Sequence, residues 1–91
     1  MVEIRYASRK DVSVILQFIK ELAEYEKEPL AVEATEAILE ESIFEKKQAK
    51  VILLEENNES VGFALYFFNF STWRGKAGLY LEDLYVRPQY R

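Results

Sequence analysis

The sequence contains neither cysteine nor histidine. Without cysteine, disulfides, thiolate nucleophiles and cysteine-ligated metal sites are excluded. Without histidine, the chain cannot form a Ser-His or Cys-His dyad, and it lacks the commonest metal ligand of proteins. We therefore expect no metal site and no acyl-enzyme chemistry.

Long apolar runs and an excess of positive charge are also missing. The apolar runs fall far short of a membrane span, and the N-terminal MVEIRYASRKD lacks the apolar centre of a secretory signal. The net charge is −4 and the isoelectric point about 4.9, and no basic stripe is present. We expect no membrane or nucleic-acid partner, and a cytoplasmic location.

What the chain does contain is typical of a globular protein. It has 91 residues, of which 49% are hydrophobic and 31% charged. A chain of this length forms one domain at most. Six tyrosines, six phenylalanines and one tryptophan are many for this length, so most of them must enter a core or a binding surface.

The first third of the chain predicts a strand followed by a helix. VEIRYA alternates apolar and polar residues with the period of a half-buried strand. Ser8 stands three residues before Asp11, as at a helix start. The apolar residues that follow recur on one helical face: Val12, Ile15, Leu16, Ile19, Leu22 and Ala23. Pro29 disfavours helix at Glu28 and ends this element.

The rest of the chain predicts a second helix and three strands. Thr35 is placed to cap the helix, KVILLEE reads as a strand, and Asn57 and Asn58 in NNES tolerate the positive φ of a tight turn. SVGFALYFFNF is apolar on both faces, which predicts a central strand covered on both sides. LYLEDLYV is the last strand. The short links favour an antiparallel meander, which the first strand joins after two helices.

Two adjacent carboxylates, Glu82 and Asp83, interrupt this last apolar strand. Neighbouring strand residues point to opposite faces, so one of them faces whatever covers the sheet unless a bulge redirects it. Two interpretations are open. The pair is solvated on an edge strand or holds an amide or arginine, which composition alone favours, or it supplies a general base whose pKa apolar neighbours raise.

Three segments together resemble the GNAT acyltransferase superfamily, and within it the diamine (spermidine/spermine) N-acetyltransferase branch. They are IRYASRKDVSVILQFIKELAEYEKEP, VGFALYFFNFSTWRGK and LYLEDLYVRPQYR. The resemblance implies an α/β (α+β in some schemes) fold of order β-α-α-β-β-β, with a mixed, mostly antiparallel sheet and helices packed on it. It also implies that residues 1–91 are the N-terminal portion of one GNAT domain. The glycine-rich loop that holds the pyrophosphate of acetyl-CoA and the C-terminal half would follow.

The resemblance implies acetyl-CoA as co-substrate and a small cationic amine as acceptor. It implies that Glu82 deprotonates the amine through water, in a cleft formed with Tyr25, Glu26 and Trp73. The roles it implies for further residues are acetyl-CoA contacts at Leu84, Tyr85, Val86, Arg87 and Arg91, and substrate contacts at Tyr25, Glu26, Trp73 and Asp83. Each aromatic or charged residue has a simpler interpretation as a partly buried ring or a surface charge.

One position departs from the polyamine-specific pattern. Ser71 stands two residues before Trp73, where those members carry an acid. The resemblance therefore implies either a polyamine or a lysine-like amino acid such as thialysine as substrate. We expect the 91 residues alone to be inactive and the protein to be a homodimer. The alternative is a non-catalytic half-domain that associates with itself or with a partner.

Overall fold

The computed structural model describes residues 2–91. The main elements are β1 (Val2–Tyr6), α1 (Val12–Tyr25), α2 (Glu36–Leu39), β2 (Lys50–Glu56), β3 (Glu59–Ser71) and β4 (Lys76–Val86). Helix α2 continues as a wider π-helical segment, Glu40–Glu45, and short 3₁₀ turns occur at Arg9–Asp11, Pro29–Ala31 and Pro88–Tyr90. The predicted order of strand, two helices and three strands is confirmed. None of the helices in this part of the chain is long and apolar enough to cross a membrane.

Local sequence signals fix the element ends as predicted. The Ser8 amide donates to the Asp11 carboxylate at 2.8 Å before α1, and the Ile38 amide donates to the Thr35 hydroxyl at 3.2 Å at the start of α2. Asn57 and Asn58 both have positive φ, 53° and 65°, and they form the tight turn between β2 and β3. The Asp11 and Thr35 side chains accept hydrogen bonds from backbone amides at the two helix starts, and asparagine adopts positive φ more readily than most residues.

The sheet has the order β1-β2-β3-β4, and all three pairings are antiparallel. The prediction of a mixed sheet is therefore wrong for residues 2–91, although its mostly antiparallel character is confirmed. After the two helices the chain returns beside the end of β1, where the Ala7 amide donates to the Val51 carbonyl at 3.0 Å. Strand β2 starts there and must run in the direction opposite to β1.

The core lies between α1, α2 and one face of the sheet. Phe18 of α1 stacks on Phe63 of β3 with ring centroids 5.9 Å apart, and neither ring is exposed. Tyr85 of β4 completes this aromatic group, with its centroid 6.1 Å from that of Phe18. The remaining buried core residues are Val12, Ile15, Leu16, Leu39, Ile43, Val51 and Leu53.

The opposite face of the sheet carries no helix within residues 2–91. We call it the open apolar face; the residues that line its groove of about 450 Å³ are Ile4, Arg5, Tyr6, Ile52, Ala64, Tyr66, Leu79 and Leu81. Strand β3 is central, as predicted, but the prediction that both of its faces are covered is wrong for this part of the chain. Both helices belong to one connection, and that connection packs on one side only.

A charged network ties β1 to the start of α1. Arg5 donates to both carboxylate oxygens of Asp11 at 2.9 and 2.8 Å and to Glu55 at 2.8 Å. Asp11 is buried, and the hydrogen bonds from Arg5 are the main reason that its pKa falls from 3.8 to about 2. A buried carboxylate held in this way stabilises the fold only while it is ionised.

We predict that this carboxylate makes the fold acid-sensitive. Because the pKa of Asp11 is lower in the folded state, its contribution is complete above pH 3.8 and is lost as the pH falls to about 2. Since Arg5 is partly exposed, we expect a loss of roughly 1–2 kcal/mol in the free energy of unfolding. Urea unfolding between pH 6 and pH 2 measures it. In Asp11→Asn the dependence in this range should be shallower by that amount, and an unchanged profile would contradict the assignment.

Candidate functional site

A β-bulge in β4 decides where the two adjacent carboxylates lie. Leu65 pairs with Asp83, whereas the next residue of β3, Tyr66, pairs with Leu81. Glu82 is therefore the extra residue of the bulge. It is exposed, while Asp83 is half-buried. Asp83 is on the side of the sheet that carries the helices, because paired residues share a face and Leu65 packs against the core.

Asp83 lies close to the end of α1. Burial is the main reason that its pKa is raised, and the negative charges of Glu82 and Glu26 raise it further. The charges of two other carboxylates thus act on Asp83. A cation bound there would relieve both the repulsion and the cost of burial.

A shallow cleft of about 350 Å³ separates the end of α1 from the end of β4. The residues that line it are Leu22, Tyr25, Glu26, Leu84, Tyr85, Val86 and Arg91. Six of the ten residues singled out in the sequence are among them. The structure does not bring Glu82, Asp83, Arg87 or Trp73 into this lining. Trp73 lies in the turn between β3 and β4 and is 96% exposed, so the cleft with Glu82 and Trp73 that the resemblance implied is not formed by these residues.

The outer edge of β4 has no neighbouring strand among residues 2–91. The Arg87 amide donates to the Val61 carbonyl at 2.9 Å. Since the hydrogen bonds of an antiparallel ladder alternate along the strand, the peptide groups of Leu84 and Val86 point away from β3, toward the cleft. Unpaired amides and carbonyls at a strand edge suit an extended ligand that itself carries amides.

Arg91 lies across this edge. Its Nε donates to the Val86 carbonyl at 2.6 Å, and its guanidinium lies 4.7 Å from the ring centroid of Tyr25 and 5.7 Å from that of Tyr85. These are cation–π distances. Arg91 therefore joins α1 to β4 and puts positive charge at the mouth of the cleft.

Arg87 is held by Glu21, a residue of α1. Arg87 Nε and Nη2 donate to the two oxygens of Glu21 at 3.1 and 3.0 Å, and the Tyr85 hydroxyl donates to Glu21 at 3.0 Å. The hydrogen bonds from Arg87 are the main reason that the pKa of Glu21 is lowered. No local signal identifies this contact, because its partners are more than 60 positions apart in the chain.

The structure of residues 2–91 shows no candidate metal site. Among residues 2–91, no three aspartate or glutamate side chains come together in a group that could hold an ion. The negative charges near Asp83 attract cations in general.

Comparisons with known proteins give a consistent result. Residues 15–91 match the model of the acetyltransferase (GNAT) family. The chain is 39% identical to the cattle thialysine N-epsilon-acetyltransferase over 99% of the chain and 58% of that protein. It is also 39% identical to the human spermidine/spermine N(1)-acetyltransferase-like protein 1, over 98% of the chain and 14% of that protein.

Solved structures agree on the fold. A possible acetyltransferase from Clostridium difficile 630 matches all of the chain and 60% of its own length, with a TM-score of 0.76 and 25% identity. A predicted acetyltransferase from Clostridium acetobutylicum, solved with acetyl-CoA, matches all of the chain and 63% of its own length, with a TM-score of 0.75 and 21% identity. At that identity the second likeness concerns the fold alone.

We predict that removing the charge of Glu26 lowers the pKa of Asp83. In Glu26→Gln one repulsive charge is lost, so the pKa of Asp83 should move toward 3.8 without reaching it, because burial remains the larger cause. Carbon-13 chemical shifts of the carboxyl groups across a pH titration measure this. Glu36→Gln, at the start of α2, is the matched control and should leave Asp83 unchanged. An equal response to both variants would contradict the placement of Glu26 beside Asp83.

Proposed function

Because the chain belongs to the GNAT acetyltransferase family, we propose that it forms the amine-binding and acetyl-CoA-contacting part of an N-acetyltransferase. The family uses acetyl-CoA as the acetyl donor. The proposed acceptor is a primary amine of a small cationic metabolite. The observation that carries the proposal is the cleft between α1 and β4, which Tyr25, Glu26 and the free edge of β4 line. The half-buried Asp83 lies outside this lining but feels the negative charge of Glu26.

The acidic residues are proposed to bind and deprotonate the amine. Asp83 and Glu26 attract the ammonium, and Tyr25 offers an aromatic face beside it. Glu82 at the bulge accepts one proton from the ammonium through water, which its exposure permits. The neutral nitrogen then attacks the thioester carbonyl carbon, the C–S bond breaks, and the second proton leaves with the sulfur as the thiol of CoA.

The edge of β4 is proposed to hold acetyl-CoA. The outward peptide groups of Leu84 and Val86 would pair with the amides of the pantetheine arm, and backbone N–H groups of β4 would stabilise the oxyanion. Tyr85 lies beneath them in the core. The Val86 carbonyl accepts from Arg91, so binding would exchange one donor for another. Arg91 would border the pyrophosphate, a role for which Arg87 is poorly suited because Glu21 engages its guanidinium.

The acceptor is proposed to be thialysine, lysine or a polyamine. Relatives at 39% identity include thialysine acetyltransferases and a spermidine/spermine acetyltransferase-like protein. Ser71 carries no charge, and its hydroxyl accepts from the Arg74 amide at 3.2 Å within the turn. With no acid at this position to bind a distant second ammonium, an amino acid with one side-chain amine is favoured.

The chain spans a little more than half of the length of the thialysine acetyltransferases that it matches. Its three glycines, Gly62, Gly75 and Gly78, do not form the glycine-rich pyrophosphate loop on which the family relies. We propose that the 91 residues alone bind acetyl-CoA weakly and turn over slowly or not at all. We further propose a cytoplasmic location, which suits a sequence without cysteine.

We predict that acetyl-CoA binding perturbs the amides of Leu84 and Val86 in nitrogen-15 NMR titrations of the chain.

We also predict that the chain, joined to the C-terminal remainder of the cattle thialysine acetyltransferase, acetylates thialysine or lysine, as mass spectrometry would show. Glu82→Gln should lower kcat about 100-fold or more, since general base catalysis contributes 10²–10⁴-fold. Glu36→Gln is the control. The proposal would be overturned if acetyl-CoA perturbed no amides of β4 and the fusion showed no turnover.

A second candidate function, a half-domain that pairs with a second copy of itself, is favoured by the open apolar face. Ile4, Tyr6, Leu79 and Leu81 are each half or more exposed. With the neighbouring Phe68 and Phe70 they offer on the order of the 800 Å² per partner that a standard interface needs. A two-fold axis would place the face against itself and bury it in both copies.

We predict that the chain is a dimer at micromolar concentration and that Leu79→Lys makes it monomeric, because a charge would be buried at the centre of the interface. Analytical ultracentrifugation measures the mass. Leu30→Lys is the matched control, since Leu30 is 97% exposed and does not line the groove; it should leave the dimer intact. A monomeric wild-type chain would exclude this candidate without bearing on the acetyltransferase proposal.

A further inference from the structure

We propose that Glu21 and Gly62 are positioning residues that together fix the carboxyl end of β4, residues 85 to 87. This inference rests on the proposed function, because that end of β4 is where acetyl-CoA would bind. Neither residue lines the cleft between α1 and β4. They act from opposite sides of the strand, Glu21 from α1 and Gly62 from β3.

From α1, Glu21 binds two of the three residues by their side chains. Its carboxylate accepts three hydrogen bonds, two from Arg87 and one from the Tyr85 hydroxyl, all between 3.0 and 3.1 Å. The Gln17 side chain donates a fourth at 3.0 Å. A bidentate arginine–carboxylate pair fixes orientation as well as distance. The carboxylate therefore determines the distance of β4 from α1 at this end.

The position of Arg87 is further restricted by packing. Its guanidinium carbon lies 5.0 Å from the ring centroid of Phe18, which is fully buried and stacks on Phe63. The charge of Arg87 is thus paired with Glu21, and its planar guanidinium packs on the Phe18 ring. Arg87 serves to hold the strand and is not a free cation for a phosphate.

From β3, Gly62 lets the two strands come unusually close. A Cβ atom at Gly62 would lie 2.5 Å from the Tyr85 carbonyl oxygen and 3.0 Å from the Val86 Cα. Both contacts are with backbone, which has no flexible side chain to move aside. Any larger residue must therefore push the end of β4 outward. Gly78, in the same hairpin, would meet only the Asn69 side-chain oxygen at 3.1 Å.

These contacts matter for the proposed reaction because binding groups must be placed to within a fraction of an ångström. The outward peptide groups of Leu84 and Val86 alternate with the inward groups of Tyr85. Moving Tyr85 or Arg87 would therefore redirect the neighbouring groups that we propose to meet acetyl-CoA. Glu21 and Gly62 should thus affect acetyl-CoA affinity without touching the ligand.

The test compares two variants with two matched controls. Glu21→Gln removes the charge that holds Arg87, and Gly62→Ala inserts the clashing Cβ. Asp11→Asn breaks an arginine–carboxylate network elsewhere in the fold, and Gly78→Ala makes the same change where a side chain can give way. We expect the NMR-derived dissociation constant for acetyl-CoA to rise about tenfold or more in the first two variants. In the controls, at a temperature where all are folded, it should change less than twofold.

A second measurement does not need the ligand. Amide hydrogen exchange should accelerate at residues 84–87 in Glu21→Gln and remain unchanged at residues 51–54, whereas Asp11→Asn should not produce this local pattern. If the wild-type chain shows no acetyl-CoA binding, the cofactor part of the proposed function fails and exchange alone decides the inference. The inference would be overturned if Glu21→Gln kept the acetyl-CoA affinity and the exchange rates of the wild-type chain. It would also be overturned if Asp11→Asn had the same effects as Glu21→Gln. Should Gly62→Ala fail to fold, Glu21→Gln still decides the outcome.

Discussion

The packing of α1 on one face of the sheet, through Phe18 against Phe63, is the contact on which the rest of the structure depends. Both rings are fully buried and nearly parallel, and Tyr85 of β4 packs against the same helix residue. Because α1 is a rigid element of 14 residues, seating its middle on β3 also determines where its end lies. Tyr25 and Glu26 therefore face the carboxyl end of β4, and the cleft follows from the core.

The bulge at Glu82 changes which face of the sheet the two parts of β4 present. After the bulge, Asp83 and Tyr85 lie on the side that carries the helices, whereas before it Leu79 and Leu81 lie on the open apolar face. Glu82 itself is exposed and Asp83 is half-buried, so neither carboxylate bears the full cost of burial. A local irregularity next to a candidate site is a common use of bulges.

Burial is strongly one-sided in this chain. One face of the sheet carries the helices and the core, while the open apolar face has a groove lined almost entirely by apolar side chains. A surface of this kind normally marks an interaction. It accounts for the apolar pattern on both faces of β3, which the sequence displays but which residues 2–91 use on one side only.

The sequence by itself determined the elements, their order and much of the cleft. Helical spacing in α1, the caps at Ser8 and Thr35, and the Asn57-Asn58 turn are local signals, and each is confirmed because the physics behind it acts over a few residues. Alternation correctly predicted the strand β1, but the prediction that its apolar side is buried is wrong for residues 2–91, because Ile4 and Tyr6 lie exposed on the open apolar face. Motifs placed Tyr25, Glu26 and residues 84–86 on the two elements that meet. Only the tertiary structure decided that the strands within residues 2–91 pair antiparallel, that Glu82 lies outside the cleft and that Glu21 binds Arg87. These depend on contacts between residues far apart in the chain, whose partners are set when α1 docks on the sheet, and no local pattern encodes them.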